Sequence, residues 1–156
     1  MMIHVHDVQV IGADFMANKT ITLHVEDDLA IAKLVQIGLR GMPLELHHVA
    51  SGDLAMDWLD EHRPELILLD INLPGADGWE VLDFAKRKHG ARGFKVIVTT
   101  ARRDAVSRAT GEIHFVDKYL IKPYTMQQLQ AAIEEVMTPS TDEDEEAYAS
   151  MDYEED

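Results

Sequence analysis

The run Glu65-Leu66-Ile67-Leu68-Leu69-Asp70 constrains this chain more than any other stretch. Four consecutive aliphatic residues lead into a single carboxylate, and Pro74, Gly75 and Gly78 mark a turn directly after it. A short apolar run bounded by turn residues suits a strand buried on both faces, the environment of a strand inside a parallel sheet. A carboxylate at the end of such a strand lies at the sheet edge, where open α/β folds bind their ligands.

The rest of the chain repeats the same unit. Ile21, Leu23 and Val25 alternate up to Glu26-Asp27-Asp28, giving a first strand that ends in three acids. Asp28 is placed to N-cap a helix through about Arg40, with Ile31, Leu34, Val35 and Leu39 at helical spacing, and Gly41 and Pro43 stop it. Leu44–Ala50 reads as a second strand, and Ser51 opens a helix whose Leu54, Ala55, Trp58 and Leu59 share one face, ended before Pro64. After the Glu65–Asp70 strand, Asp77 and Glu80 have the spacing of a capping box for a third helix with Trp79, Val81, Leu82 and Ala85. Phe94–Thr100 is a fourth strand, Arg102–Glu112 a further helix, and Val116–Ile121 a fifth strand. Thr125 with Gln128 makes another capping box, starting a helix striped by Met126, Leu129, Ile133 and Val136 that Pro139 ends. Strand and helix thus alternate five times with short connections. Right-handed crossovers then require an α/β fold, a doubly wound parallel sheet with helices on both faces.

Charge and composition remove several functions. The net charge is −15, and residues 139–156 hold nine acids and no Lys or Arg, which leaves −6 for the first 138 residues. An acidic body with an acidic tail argues against direct nucleic-acid binding, which needs a cationic footprint. The tail has too little apolar content to bury and is expected to be disordered. Residues 1–18 read as an N-terminal extension, either an edge strand or an arm, because Ile3, Val5, Val8 and Val10 alternate only until Gly12. There is no cysteine, which excludes disulfides and thiolate metal sites. No apolar run approaches the roughly 18 residues of a membrane span, and no secretory signal opens the chain. Cytoplasmic residence away from membranes is the expectation.

Four polar positions stand where strands end: Glu26-Asp27, Asp70, Thr100 and Lys122. In a parallel sheet these ends share one edge, so residues distant in sequence converge on one shallow pocket. Carboxylates held together repel one another unless a cation joins them, and a hard ion such as Mg²⁺ takes few carboxylates, some waters and phosphate oxygens. Lys122 supplies a point positive charge and Thr100 a short hydroxyl donor, which together suit a phosphoryl group. Phosphoryl transfer asks the protein mainly to position groups and neutralise charge. Asp70 can serve as the nucleophile, forming an acyl phosphate.

On these residues, the segment from about Lys19 to Thr138 resembles a response-regulator receiver domain of two-component signalling. The matching motifs are Val25-Glu26-Asp27-Asp28, Leu69-Asp70-Ile71-Asn72-Leu73-Pro74 with Asp77-Gly78, Thr99-Thr100-Ala101, and Tyr119-Leu120-Ile121-Lys122-Pro123. Separations of 43, 30 and 22 residues between Asp27, Asp70, Thr100 and Lys122 also resemble the family's spacing. The resemblance implies a flavodoxin-like receiver fold over residues 19–138 with sheet order 2-1-3-4-5. It further implies a stand-alone switch in which Asp70 accepts phosphoryl from a histidine kinase or a histidine phosphotransfer protein. Mg²⁺ would be held by Asp27 directly, Glu26 through water, Asp70, and the Asn72 carbonyl. Thr100 and Lys122 would contact phosphoryl oxygens, with Ala101 leaving room. Tyr119 occupies the switch-aromatic position, and Asn72 and Arg102 the positions that tune phosphoryl lifetime. The output implied is regulation of a downstream protein, with a homodimer compatible and no enzymatic turnover beyond self-directed transfer and slow autodephosphorylation. One departure stands out: the family's usual Gly-Ala pair ahead of the switch aromatic is replaced by His114-Phe115-Val116-Asp117-Lys118, which implies a differently shaped output surface.

Two other classes fit parts of the pattern. A phosphorylation-independent scaffold would keep the fold without using Asp70. A Mg²⁺-dependent phosphohydrolase would use Asp70 as nucleophile but needs an acid two residues later, where this chain has Asn72. The scattered histidines, His24 and His48 among them, read as ordinary packing or surface residues.

Overall fold

A computed structural model describes residues 18–101 and 116–139. In chain order the elements are β1 (Thr20–Val25), α1 (Leu29–Gly38), β2 (Leu44–Val49), α2 (Gly52–Glu61), β3 (Leu66–Asp70), α3 (Gly78–His89), β4 (Lys95–Thr100), β5 (Lys118–Ile121) and α4 (Met126–Met137). The five strands form one parallel sheet in the order β2-β1-β3-β4-β5. This is the order the family resemblance implies.

β3 is the centre of the sheet. It pairs with β1 on one side (Leu23 opposite Ile67) and with β4 on the other (Leu69 opposite Val98), and all five of its residues are buried. The two-residue side-chain period of a strand splits it between two cores. Ile67 and Leu69 join Leu23, Val25, Val96 and Val98 against Ala55, Leu59, Val81, Leu82 and Ala85 of α2 and α3. Leu66, Leu68 and Ile97 pack against Val35 and Leu39 at α1 and Leu129, Ala132, Ile133 and Val136 of α4. Each buried aliphatic side chain contributes about 1.5–3 kcal/mol before ordering entropy is subtracted, so this strand is a firm base for the residue at its end.

The helices begin at the caps the sequence predicts. Asp28 accepts from the amides of Ala30 and Ile31, Ser51 from Leu54 and Asp77 from Glu80. Thr125 and Gln128 complete a reciprocal capping box. Boundaries shift slightly elsewhere. β5 opens at Lys118 rather than Val116, because Asp117 is tied to Val96 through both its amide (3.0 Å to the carbonyl) and its carboxylate (2.8 Å from the amide). A side chain there replaces a strand partner. The helix expected over 102–112, the role given to Arg102, residues 1–17 of the extension and residues 140–156 of the tail all lie outside the described residues. Among the described residues, no helix is long and apolar enough to cross a membrane.

Candidate functional site

Parallel strands bring their C-terminal ends to one edge, so Glu26, Asp70, Thr100 and Lys122 meet there although they span 96 positions of sequence. Asp70 is 4% exposed. The amide of Ile71 still bonds the carbonyl of Thr99 (3.2 Å), so the chain stays attached to β4 one residue beyond the strand. The Asp70 carboxylate is held at both oxygens: Oδ1 accepts from the Asn72 amide (3.0 Å) and Oδ2 from Lys122 Nζ (2.9 Å). Gly78 allows α3 to start directly on this backbone. A Cβ at that position would lie 2.7 Å from the Asp70 carbonyl oxygen and 2.7 Å from the Ile71 Cα, closer than such atoms pack.

Lys122 joins the acids. Its Nζ also donates to Glu26 Oε1 (3.1 Å) and Oε2 (2.8 Å), so all three ammonium donors point at carboxylate oxygens. Its backbone amide bonds the Thr100 carbonyl at 2.8 Å. Asn72 Nδ2 in turn donates to Thr100 Oγ1 at 3.2 Å. Asp70, Asn72, Thr100 and Lys122 therefore form a closed ring of hydrogen bonds. The strand-end pattern places Asp70, Thr100 and Lys122 on one edge and the family resemblance adds Asn72, but the Asn72–Thr100 link depends on where the loop after β3 carries the Asn72 side chain.

The electrostatics follow from burial. Glu26 is fully buried, and that burial pushes its pKa up. The hydrogen bond and charge of Lys122 pull it back, the charge of Asp70 adds to the rise, and the net position is above the usual carboxylate range. Burial alone would lower Lys122, but its hydrogen bonds to Glu26 and Asp70 and their charges hold it above the usual lysine value. Glu26, Asp27 and Asp70 each offer one oxygen, and these oxygens all lie within 4.8 Å of one another. Ionised, three carboxylates against one ammonium leave two negative charges uncompensated. An all-oxygen donor set with that deficit fits a hard divalent cation such as Mg²⁺. Asp27, exposed at the rim, is the open side of the set, whereas Asp28 is turned to the α1 cap.

Residues around this centre complete it. Tyr119 lies opposite Val98 and packs on the core beneath α2 and α3. Its hydroxyl is buried and has no hydrogen-bond partner among the described residues, and burial pushes its pKa up. Ala101 is exposed at the rim after Thr100. Tyr124, which the sequence does not single out, is held above its usual pKa by burial and then by the charge of Glu26. His24, on β1 two residues before Glu26, is buried and faces His48 at 5.6 Å between ring centroids. Burial, followed by His48 and Lys122, lowers its pKa to about 3. His48 Nε2 lies 2.8 Å from the Glu26 carbonyl and steadies the end of β1. No local sequence signal marks this pair, since the register of His24 with His48 is a tertiary fact.

The fold and site together define an α/β domain with an acidic, cation-ready pocket at the ends of its central strands. Residues 22–134 match the family model of the response regulator receiver domain, and the chain belongs to that family of two-component signalling. The DNA-binding response regulator MtrA of Mycolicibacterium paratuberculosis is 31% identical over 132 residues, which are 85% of this chain and 57% of that protein. This chain therefore spans little more than half the length of that relative. The solved bacteriophytochrome response regulator RtBRR superposes with a TM-score of 0.68 at 27% identity, covering 79% of this chain and 81% of that one. The receiver domain of the sensor histidine kinase PA1611 of Pseudomonas aeruginosa, solved with a magnesium ion in its active site cleft, shares the fold. Its TM-score is 0.67 at 24% identity, covering 76% of this chain and 97% of that one.

Proposed function

We propose that this chain is a phospho-aspartate signalling switch in which Asp70 accepts a phosphoryl group from a histidine kinase or a histidine phosphotransfer protein. The observation that carries this reading is the Asp70 carboxylate, almost fully buried yet held at the strand edge between the Asn72 amide and Lys122, beside Glu26 and Asp27. Mg²⁺, held by Asp27, Asp70 and the Asn72 carbonyl with Glu26 acting through water, would supply two positive charges against the carboxylates and the incoming phosphoryl oxygens. An Asp70 oxygen donates a lone pair to phosphorus as the phosphorus–nitrogen bond of the donor imidazole breaks and its electron pair returns to nitrogen. Nothing is oxidised or reduced. Lys122 turns its donors from Glu26 toward the new oxygens, and the Thr100 hydroxyl leaves Asn72 to donate to one of them.

The modification adds about −1.5 to −2 charge at Asp70. It biases a pre-existing equilibrium by engaging Thr100 and Lys122, and the buried Tyr119 hydroxyl follows the space that Thr100 vacates. The output is recognition by a downstream protein. A phosphohydrolase is disfavoured because Asn72 has no acidic proton to give a leaving group and its carboxamide is engaged with Thr100.

Beryllofluoride or acetyl phosphate with Mg²⁺ should shift amide resonances around Asp70, Thr100 and Tyr119, and Asp70→Asn should abolish the shifts. No shift at millimolar ligand overturns the proposal. Steady multi-turnover hydrolysis of small phosphoesters would instead support the hydrolase. Partner binding that is the same in Asp70→Asn and in beryllofluoride-loaded protein would support the scaffold.

A further inference from the structure

In a chain of net charge −15, residues 86–95 hold five Lys or Arg side chains (Lys86, Arg87, Lys88, Arg92, Lys95) and no acid. They occupy the last turn of α3, the following turn and the first residue of β4. This is the sheet edge opposite Asp70, where strands begin and helices end. All five belong to that end of the domain. Arg63, after α2, reaches the same turn, its Nη2 lying 3.4 Å from where a Cβ on Gly93 would be. Lys86 Nζ bonds the Ala91 carbonyl at 3.2 Å and lies 5.9 Å from the centre of the Phe94 ring. Acids offset part of this charge: Lys88 pairs with Asp60 at 2.8 Å, Lys95 with Asp117 at 3.8 Å, and the charges of Asp117 and Asp83 act on Lys86, while Arg63, Arg87 and Arg92 are exposed. A cationic surface on so acidic a protein calls for an anionic occupant.

The chain carries one of matching chemistry. Residues 140–156 contain two acidic blocks, Asp142-Glu143-Asp144-Glu145-Glu146 and Asp152 with Glu154-Glu155-Asp156, with no Lys or Arg. They follow α4, whose last turns end on the same sheet edge, where Glu135 pairs with Lys118 beside Asp117. Extended at about 3.3–3.6 Å per residue, seventeen residues reach far beyond the roughly 20 Å between helix layers on opposite sides of a sheet.

We propose that the acidic C-terminal segment, residues 140–156, folds back onto the basic patch formed by Arg63 and residues 86–95, within the same chain. The contact is between solvated charges. It depends on ionic strength and leaves the tail open to displacement by a more acidic partner segment. It lies away from Asp70, so it stands or falls independently of the phosphoacceptor reading.

The absence of cysteine makes the test direct, since Ser150→Cys introduces a single attachment point for a spin label in the full chain. The proposal expects amides of residues 86–95 to broaden in ~0.01 M salt, where the screening length is about 30 Å, and to recover in ~1 M salt, where it is about 3 Å. It also expects the exposed double reversal Arg87→Glu/Arg92→Glu to remove most of the broadening while core amides such as those of Ile67 and Leu68 in β3 keep their shifts. Mixing spin-labelled, isotope-free chain with unlabelled, ¹⁵N-enriched chain should leave the latter sharp. Absence of broadening at low salt, persistence after the double reversal, or broadening in the mixed sample each overturns the intramolecular contact. The last of these would assign the patch to a second copy's tail.

Discussion

Lys122→Met separates the two roles of the ammonium, structural and electrostatic, because the aliphatic stem survives while the charge does not. Lys122 makes three hydrogen bonds to two carboxylates, and the side chains of Glu26 and Asp70 are 0% and 5% exposed. Removing one partner of a buried ionic cluster leaves uncompensated charge, which costs about 3–5 kcal/mol. For a domain of this size that corresponds to a fall in Tm of roughly 10–20 °C, measured by calorimetry in chelator. The same loss should improve divalent-cation binding. The ionised site goes from two uncompensated negative charges to three. Removing a +1 charge about 5 Å from a +2 ion is worth between ~2 and ~7 kcal/mol over effective dielectric constants of about 80 to 20. Even the lower figure predicts Mg²⁺ affinity at least about 10-fold higher by titration calorimetry, with Mg²⁺ restoring much of the lost Tm. A variant as stable as the parent in chelator, or one that binds Mg²⁺ no more tightly, refutes the reasoning that Lys122 is the cation holding Glu26 and Asp70 together.

Other outcomes follow from single contacts. Asn72→Ala removes the donor to Thr100 Oγ1, a hydrogen bond worth about 1 kcal/mol, and should tighten beryllofluoride binding by roughly 5-fold. Unchanged or weaker binding would mean that Thr100 keeps its bond to Asn72 in the loaded state. Gly78→Ala forces a Cβ against the Asp70 carbonyl and should lower stability by about 1–3 kcal/mol in urea titrations and slow phosphorylation by acetyl phosphate. A wild-type midpoint with a wild-type rate counts against the close approach. His24 has a folded pKa of about 3 against 6.5 unfolded, so the unfolded chain binds more protons between those values. Stability therefore falls as pH drops from 6.5 toward 3, by up to about 1.4 kcal/mol per pH unit. His24→Leu should flatten the stability profile in that window, and an equally steep profile would show that other groups carry the acid sensitivity.

Much of the fold is legible in the sequence because its signals are local. Four aliphatics ending in Asp70 define a strand buried on both sides whatever its neighbours, and Asp28, Ser51, Asp77 and Thr125 satisfy amides within their own first helical turn. Strand–helix alternation then fixes handedness and puts the strand ends together, so Glu26, Asp27, Asp70, Thr100 and Lys122 are assignable to one site by residue type alone. Tertiary structure decided what depends on register and on loop paths. The side-by-side placement of His24 and His48, the Asn72–Thr100 bond that closes the ring, and the capture of all three Lys122 donors by Glu26 and Asp70 are contacts across 24 to 96 positions. The first acidic block of the tail is plain in the sequence. The basic patch is not, because Arg63 joins residues 86–95 only when α2 and α3 end on the same edge. Side-chain type and local periodicity specify which groups this protein brings to its chemistry. Which of those groups hold one another emerges on folding, since hydrogen bonds and burial depend on distances that no local pattern encodes.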